Sequence, residues 1–159
     1  MATVRRRGDA TLGNMPVTES DGERLLYTAK TRTKGGRERG IARSCDGRLD
    51  IKLSLPGASG FGTNPEQLFA AGWSASLGSA IADAATGRQI KLPADVVVDA
   101  EIDLIMGEEG YRLCARFAVS IAGVDRETGR ALLEEAAERC PYSKATQGAV
   151  DVAIDLETP

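Results

Sequence analysis

Histidine is absent from all 159 residues. That removes Ser-His-Asp and Cys-His catalysis, and every zinc site that needs an imidazole. Acid–base work falls instead to carboxylates, lysines, tyrosines or cysteines. Cysteine is scarce: Cys45, Cys114 and Cys140 are the whole complement. Three thiols cannot all pair within one chain, none lies in a Cys-x-x-Cys, and their spacing fits no metal site. Long apolar runs are missing as well. None approaches the ~20 residues that span a bilayer, so no membrane partner is expected. Arg5, Arg6 and Arg7 are not followed by an apolar core, so no secretory signal is read there. An unpaired thiol without such a signal points to a reducing cytoplasm. Finally, there is no basic excess: 20 Lys and Arg stand against 23 Asp and Glu, a net charge of −3. Phosphate binding wants a basic excess or a clustered basic face, so nucleic acid is not an expected partner.

What is present is a globular composition, 42% hydrophobic and 27% charged, over the length of one domain. Residues 1–23 are polar, aperiodic and charge-balanced, and read as a flexible N-terminal arm. Residues 24–159 read as a single domain. Strand patterns begin at Leu25, with 26–33 rich in Thr and Tyr before a turn at Gly35 and Gly36. Residues 48–55 alternate, with Leu49, Ile51, Leu53 and Leu55 on one face, as in a half-buried antiparallel strand. The glycine-rich stretch 56–63 is a loop. It precedes a helix N-terminus, where anions bind, but it lacks the Gly-Lys-Ser/Thr of a P-loop.

A long helix is predicted over 64–85, with Asn64 as cap, Pro65 in the first turn, Gln67 completing the capping pattern and Gly87 as stop. Leu68, Phe69, Gly72, Trp73, Ser76, Leu77, Ala80, Ile81 and Ala84 recur at helical spacing. The stripe is wide and rich in small residues, so the helix should be central and buried. Phe69 and Ser76 fall within about 20° of one face, which puts Ser76 inside. Strands over 96–106 and 111–121 form a hairpin through Gly107-Glu108-Glu109-Gly110, with Tyr111, Leu113, Ala115, Phe117, Val119 and Ile121 inward. Asp125 caps a second helix, whose apolar face is Leu132, Leu133, Ala136, Ala137 and Cys140 and which Pro141 ends. Val150, Val152, Ile154 and Leu156 close the chain as a strand. The class is therefore α+β, without a doubly wound βαβ rhythm. A two-layer monomer cannot cover a helix that is apolar on more than one side, so a partner chain is expected to cover part of it.

The individual site residues are ambiguous by themselves. A cysteine on an apolar helix face, such as Cys140, is ordinarily inert core. The negative end of the helix dipole disfavours a thiolate there, so any chemistry at Cys140 should be that of an attacked or resolving thiol. Cys114 lies between Arg112 and Arg116 on a polar strand face, and Cys45 lies in a turn beside Asp46. Glu66, in the first turn of the long helix, suits the positive end of its dipole.

Taken together, the pieces resemble a known family. Gly62-Thr63-Asn64-Pro65-Glu66-Gln67-Leu68-Phe69-Ala70-Ala71-Gly72-Trp73-Ser74-Ala75 is similar to the central-helix signature of the organic hydroperoxide resistance proteins, a branch of the osmotically inducible protein C superfamily. Cys140-Pro141-Tyr142-Ser143-Lys144-Ala145-Thr146-Gln147-Gly148 resembles their second signature. Leu26-Tyr27-Thr28-Ala29, Gly35-Gly36-Arg37 and Gly123-Val124-Asp125-Arg126-Glu127 resemble their first strand, its turn and the lead into their second helix. The likeness covers about 25–156. It implies an intertwined homodimer of α+β subunits, in the two-layer fold of that superfamily, with mainly antiparallel sheets around the central helices and two active sites at the subunit interface. It also implies reduction of organic and fatty-acid hydroperoxides by a peroxidatic and a resolving cysteine. A lipoyl-type dithiol, free as dihydrolipoamide or on a lipoylated protein, would be the reductant, with no bound cofactor or metal.

By this resemblance Arg37 is the thiolate-stabilising arginine, Glu66 the carboxylate that orients it, and Cys140 the resolving cysteine. The peroxidatic position holds Ser76. Trp73 and Leu77 also depart from the family's usual tyrosine and aromatic residue. Ser76 is either an introduced Cys-to-Ser change or a natural loss. A serine hydroxyl stays protonated where a thiol ionises, so the Ser76 form is expected to be inactive. Two readings follow: a thiol-dependent hydroperoxide reductase whose nucleophile position is occupied by serine, or a non-catalytic member binding a fatty-acyl or other hydrophobic ligand, with Arg37 on its head group. Serine hydrolysis through a lysine is disfavoured, since no lysine lies on the central helix. Arg37 and Glu66 are expected to pair beside Ser76.

Overall fold

A computed structural model describes residues 24–157; the expected N-terminal arm, 1–23, lies outside the described residues. The chain order is β1 (Thr31–Lys34), β2 (Ile41–Ser44), β3 (Asp50–Lys52), α1 (Pro65–Gly87), β4 (Val97–Gly107), β5 (Gly110–Ser120), α2 (Arg126–Arg139), α3 (Pro141–Thr146) and β6 (Asp151–Glu157). These build two three-stranded sheets, β1-β2-β3 and β4-β5-β6. The first is antiparallel throughout. In the second, β4 and β5 form the expected hairpin, closed at Gly107 opposite Gly110. β6 runs parallel to β5, because the chain returns through α2 and α3 rather than by a tight turn.

Helix α1 forms where its signals stand. Asn64 Oδ1 accepts the Gln67 N–H at 2.8 Å, and Pro65 opens the first turn. The Gln67 side chain turns outward to accept the Thr63 hydroxyl at 2.7 Å. The core joins Trp73, Leu77, Ile81 and Ala84 of α1 to Phe117 and Val119 of β5 and Leu132 and Ala136 of α2. Trp73 meets Phe117 edge-on, centroids 5.0 Å apart, an arrangement that the ring quadrupoles favour. No described helix is long and apolar enough to cross a membrane.

Four departures from the sequence reading have physical causes. The first strand starts at Thr31, not Leu25: Lys30 O still accepts the Cys45 N–H at 2.9 Å, but residues 25–29 pair with no strand among the described residues, and Leu25, Leu26 and Tyr27 stay exposed. The strand expected over 48–55 is cut to Asp50–Lys52. Leu53 is buried in an isolated bridge to Thr63, while Leu55 is exposed. Pro141 does not only end α2; it opens the short helix α3, because a proline lacks nothing that a first helical turn needs. Tyr111 keeps its place in the inward alternation yet is 65% exposed. At the hairpin tip Leu104 and Met106 are exposed too; there Leu104 and Tyr111 line an open cleft beside the start of α1 instead of packed core.

Candidate functional site

The turn after β1 carries Arg37. Gly40 N–H donates to Gly36 O at 2.8 Å, and Leu53 N–H to Gly40 O at 2.7 Å. A β-carbon on Gly40 would stand 2.5 Å from Gly36 O, so only glycine lets this turn close against β3. The closed turn sets Arg37 Nη1 3.8 Å from Glu66 Oε1 at the start of α1. The guanidinium is 44% exposed and the carboxylate 16%, so the pair sits at the rim of a cleft. The cleft holds about 700 Å³, and Leu55, Ala100, Ile102 and Leu104 supply apolar wall.

Further along α1, Trp73 and Ser76 face α3. The Trp73 indole N–H donates to Ser143 Oγ at 3.0 Å, which satisfies a ring otherwise shut from water. A β-carbon on Gly72 would meet the Tyr142 hydroxyl at 3.1 Å, so this glycine admits α3 against the helix. Cys140, fully buried between α2 and α3, thereby comes to Ser76: its thiol donates to Ser76 Oγ across 3.4 Å.

The Cys140 thiol corrects the dipole argument. Burial pushes it up, but the Ser76 hydroxyl, then the Ser143 backbone N–H and hydroxyl and the Tyr142 N–H, hold it below the usual thiol range. The chain bends at Cys140 into α3, so the sulfur meets N–H donors and not only the carbonyl end of α2. When the proton leaves, the Ser76 hydroxyl can rotate and donate to sulfur. With its folded pKa depressed, this thiol stabilises the fold fully above its unfolded pKa, and that contribution is lost as pH falls through the folded one. Ser76→Ala removes the first of these donors, so the Cys140 midpoint moves up. Thiolate absorbance at 240 nm, titrated in a Cys45→Ser, Cys114→Ser background, checks this; an unmoved midpoint refutes it.

The structure thus joins the four residues into two pairs, Arg37 with Glu66 and Ser76 with Cys140, and does not join the pairs. Glu66 and Ser76 are ten residues apart on α1, about 15 Å along its axis, and the cleft lined by Arg37 and Glu66 is not lined by Ser76 or Cys140. Within one chain Arg37 does not stand beside Ser76 as the sequence reading expects. The other thiols lie elsewhere. Cys45 is exposed in the turn after β2, and Cys114, on the outer face of the second sheet, accepts from Arg112 Nη1 at 2.8 Å. Among the described residues no group of three or more acidic or cysteine side chains is placed to hold a metal ion.

Residues 57–155 match the family model of the OsmC-like proteins. The organic hydroperoxide resistance protein of Xanthomonas axonopodis pv. citri (strain 306) is 41% identical over 138 residues, 84% of this chain and 96% of that one. The chain belongs to the organic hydroperoxide resistance branch of the OsmC-like family. The crystal structure of OhrB of Bacillus subtilis matches the fold with a TM-score of 0.78 at 39% identity, covering 84% of this chain and 100% of its own. An organic hydroperoxide resistance protein from Legionella pneumophila gives 0.79 at 38% identity, covering 85% and 100%. This OsmC-like chain therefore has the family's two sheets and long helix. The sequence reading missed two contributors. Ser143 bears on the Cys140 sulfur, and Tyr111 lies at Arg37 with its ring centroid 5.6 Å from Cζ. Ser143 lies inside the second signature, which was signal enough. Tyr111 gave none, since its alternation reads as core.

Proposed function

We propose that this chain is an organic hydroperoxide reductase scaffold, working as a homodimer in a reducing cytoplasm, with Ser76 in the place of the sulfur that attacks peroxide. The observation that carries this is the pairing of Ser76 with a buried, acidified Cys140 at 3.4 Å. With a thiol at position 76 the chemistry closes. A thiolate attacks one peroxide oxygen, an S–O bond forms, the O–O bond breaks, and the leaving alkoxide takes a proton to become the alcohol. The sulfenic acid then condenses with the Cys140 thiol, releasing water and forming a disulfide, which a lipoyl-type dithiol reopens by exchange. Serine offers no such oxidation ladder. The names of the relatives agree with a peroxide role.

A second copy of the chain is part of this reading. Strand β1 is exposed along its whole length, Leu25, Leu26 and Tyr27 are exposed, and Ala71, Ala75, Ser79 and Ala82 form an exposed stripe of small residues on α1. A three-stranded sheet whose one buried apolar residue is Ala42, with Leu53 buried just beyond β3, has little core of its own. A partner covering these surfaces would also bring its Arg37 and Glu66 to this chain's Ser76 and Cys140. Light scattering at micromolar concentration should give a dimer; a stable folded monomer would contradict the assembly. Turnover of tert-butyl hydroperoxide with dihydrolipoamide by the parent chain, through Cys45 or Cys114, would contradict the site.

The cleft of about 700 Å³ favours a second reading. Its apolar wall and Arg37 suit a hydrophobic ligand with an anionic head. Fatty-acyl ligand released on denaturing purified protein, together with an inert Ser76→Cys variant, would make binding the function.

A further inference from the structure

Arg37 faces the ring of Tyr111 as well as the expected carboxylate of Glu66. At 3.8 Å the Glu66 oxygen is beyond hydrogen-bond range; it attracts the guanidinium without fixing its orientation. The second neighbour is the ring of Tyr111, 5.6 Å from Arg37 Cζ to the centroid, inside the roughly 6 Å over which a ring face attracts a cation. Tyr111 is 65% exposed, so core packing does not account for where its ring lies. Arg37 is a long side chain on a turn, and holding it in one place opposes its rotamer entropy. A charge at one side and a ring face at another restrain it where either alone is weak. Ring, carboxylate and guanidinium line the same cleft.

We propose that Tyr111 is a positioning residue for Arg37, its ring face keeping the guanidinium at the mouth of the cleft instead of out in solvent. This rests on the hydroperoxide reading, in which Arg37 meets a peroxide oxygen or the reacting sulfur. The contact needs the face of the ring and not the hydroxyl, so phenylalanine serves and leucine does not.

Two measurements test this. In the parent chain, the Arg37 Nε–H resonance should carry a ring-current shift that Tyr111→Phe keeps and Tyr111→Leu abolishes. In a Ser76→Cys background, Tyr111→Leu should lower kcat/KM for tert-butyl hydroperoxide about two- to fivefold if the ring stays wet, and up to about thirtyfold if a partner desolvates it. Tyr111→Phe should keep the rate. Tyr111→Leu added to Arg37→Met should cost nothing further, because the ring acts only through the guanidinium; thermal melts identify any variant that fails to fold. An unchanged resonance in Tyr111→Leu overturns the proposal, as does an equal loss in Tyr111→Phe or an additive loss on Arg37→Met. If Arg37→Met alone is as fast as its parent, it is the hydroperoxide role of Arg37 that fails. The resonance result then still reports whether the ring holds the arginine.

Discussion

A Ser76→Cys variant is expected to reduce tert-butyl and cumene hydroperoxide with dihydrolipoamide, where the parent chain shows essentially no turnover. The expected gain is large because the change restores a nucleophile and not a contact. Loss of the nucleophile in a covalent mechanism costs on the order of 10⁶-fold. The remaining parts are already present. Cys140 stands 3.4 Å from the Ser76 oxygen, so a sulfur at that place is a small adjustment from bonding to it. Cys140 has its thiol held low by Ser143 and Tyr142 as well as by Ser76, so it retains hydrogen-bond support after the serine is replaced. Coupled assays give the rate, and titration with limiting peroxide gives the stoichiometry. Ser76→Cys with Cys140→Ser should consume about one equivalent and stop as a sulfenic acid, open to further oxidation. A folded, dimeric Ser76→Cys protein that leaves peroxide untouched would end the reductase reading.

Two inactive proteins should become active when their subunits are exchanged. One carries Arg37→Met with Ser76→Cys and has the thiol without the guanidinium. The other is the parent chain, with the guanidinium and no thiol. Removing a single preorganised charge-stabilising donor costs on the order of 10²–10³-fold, so the first homodimer should be nearly silent, and the parent, which has no nucleophile, should be silent for that reason. If the site is built across two chains, a mixed dimer has one complete site, the thiol of one chain facing Arg37 of the other. Random reassortment from equal amounts makes half the dimers mixed, and the mixture should recover about a quarter of the Ser76→Cys rate. Gel-purified mixed dimers give the same answer without the statistics. The motive is the spacing on α1: Glu66 holds Arg37 at one end, and Ser76 lies about 15 Å further along the axis. Were the arginine to act on the thiol of its own chain, no mixture would recover activity.

The long helix was legible because its signals are local. A cap, a proline in the first turn and a helical stripe are all contained in residues 64–85, and the same holds for the alternation of β4 and β5 and for the Asp125 cap, whose side chain accepts the Thr128 N–H at 2.9 Å. The pairing of Ser76 with Cys140 was half legible. Both residues were marked by signatures, but their approach depends on Gly72 making room for Tyr142 and on Trp73 reaching Ser143, contacts between positions some seventy residues apart. The ionisation of Cys140 is not legible from the dipole of α2 alone, because Pro141 both ends α2 and opens α3. Whether a sulfur faces carbonyls or N–H groups is set by the backbone bend at Cys140, where φ is −61° and ψ is 121°, and one proline does not announce it.

Composition and periodicity by themselves determined that this is an α+β chain around one long helix, that its chemistry cannot use histidine, and that apolar and small residues lie on more than one side of that helix. These follow from residue type and short-range spacing, which act before the chain folds. Only the tertiary structure decided which residues meet. It put Ser76 against Cys140, Arg37 between Glu66 and Tyr111, and the two pairs at separate stretches of one helix. It also left residues 25–30 and β1 without cover, although their pattern reads as strand. A pattern specifies which face wants burial, but a surface has to be there to bury it, and among the described residues none covers Leu25, Leu26 and Tyr27.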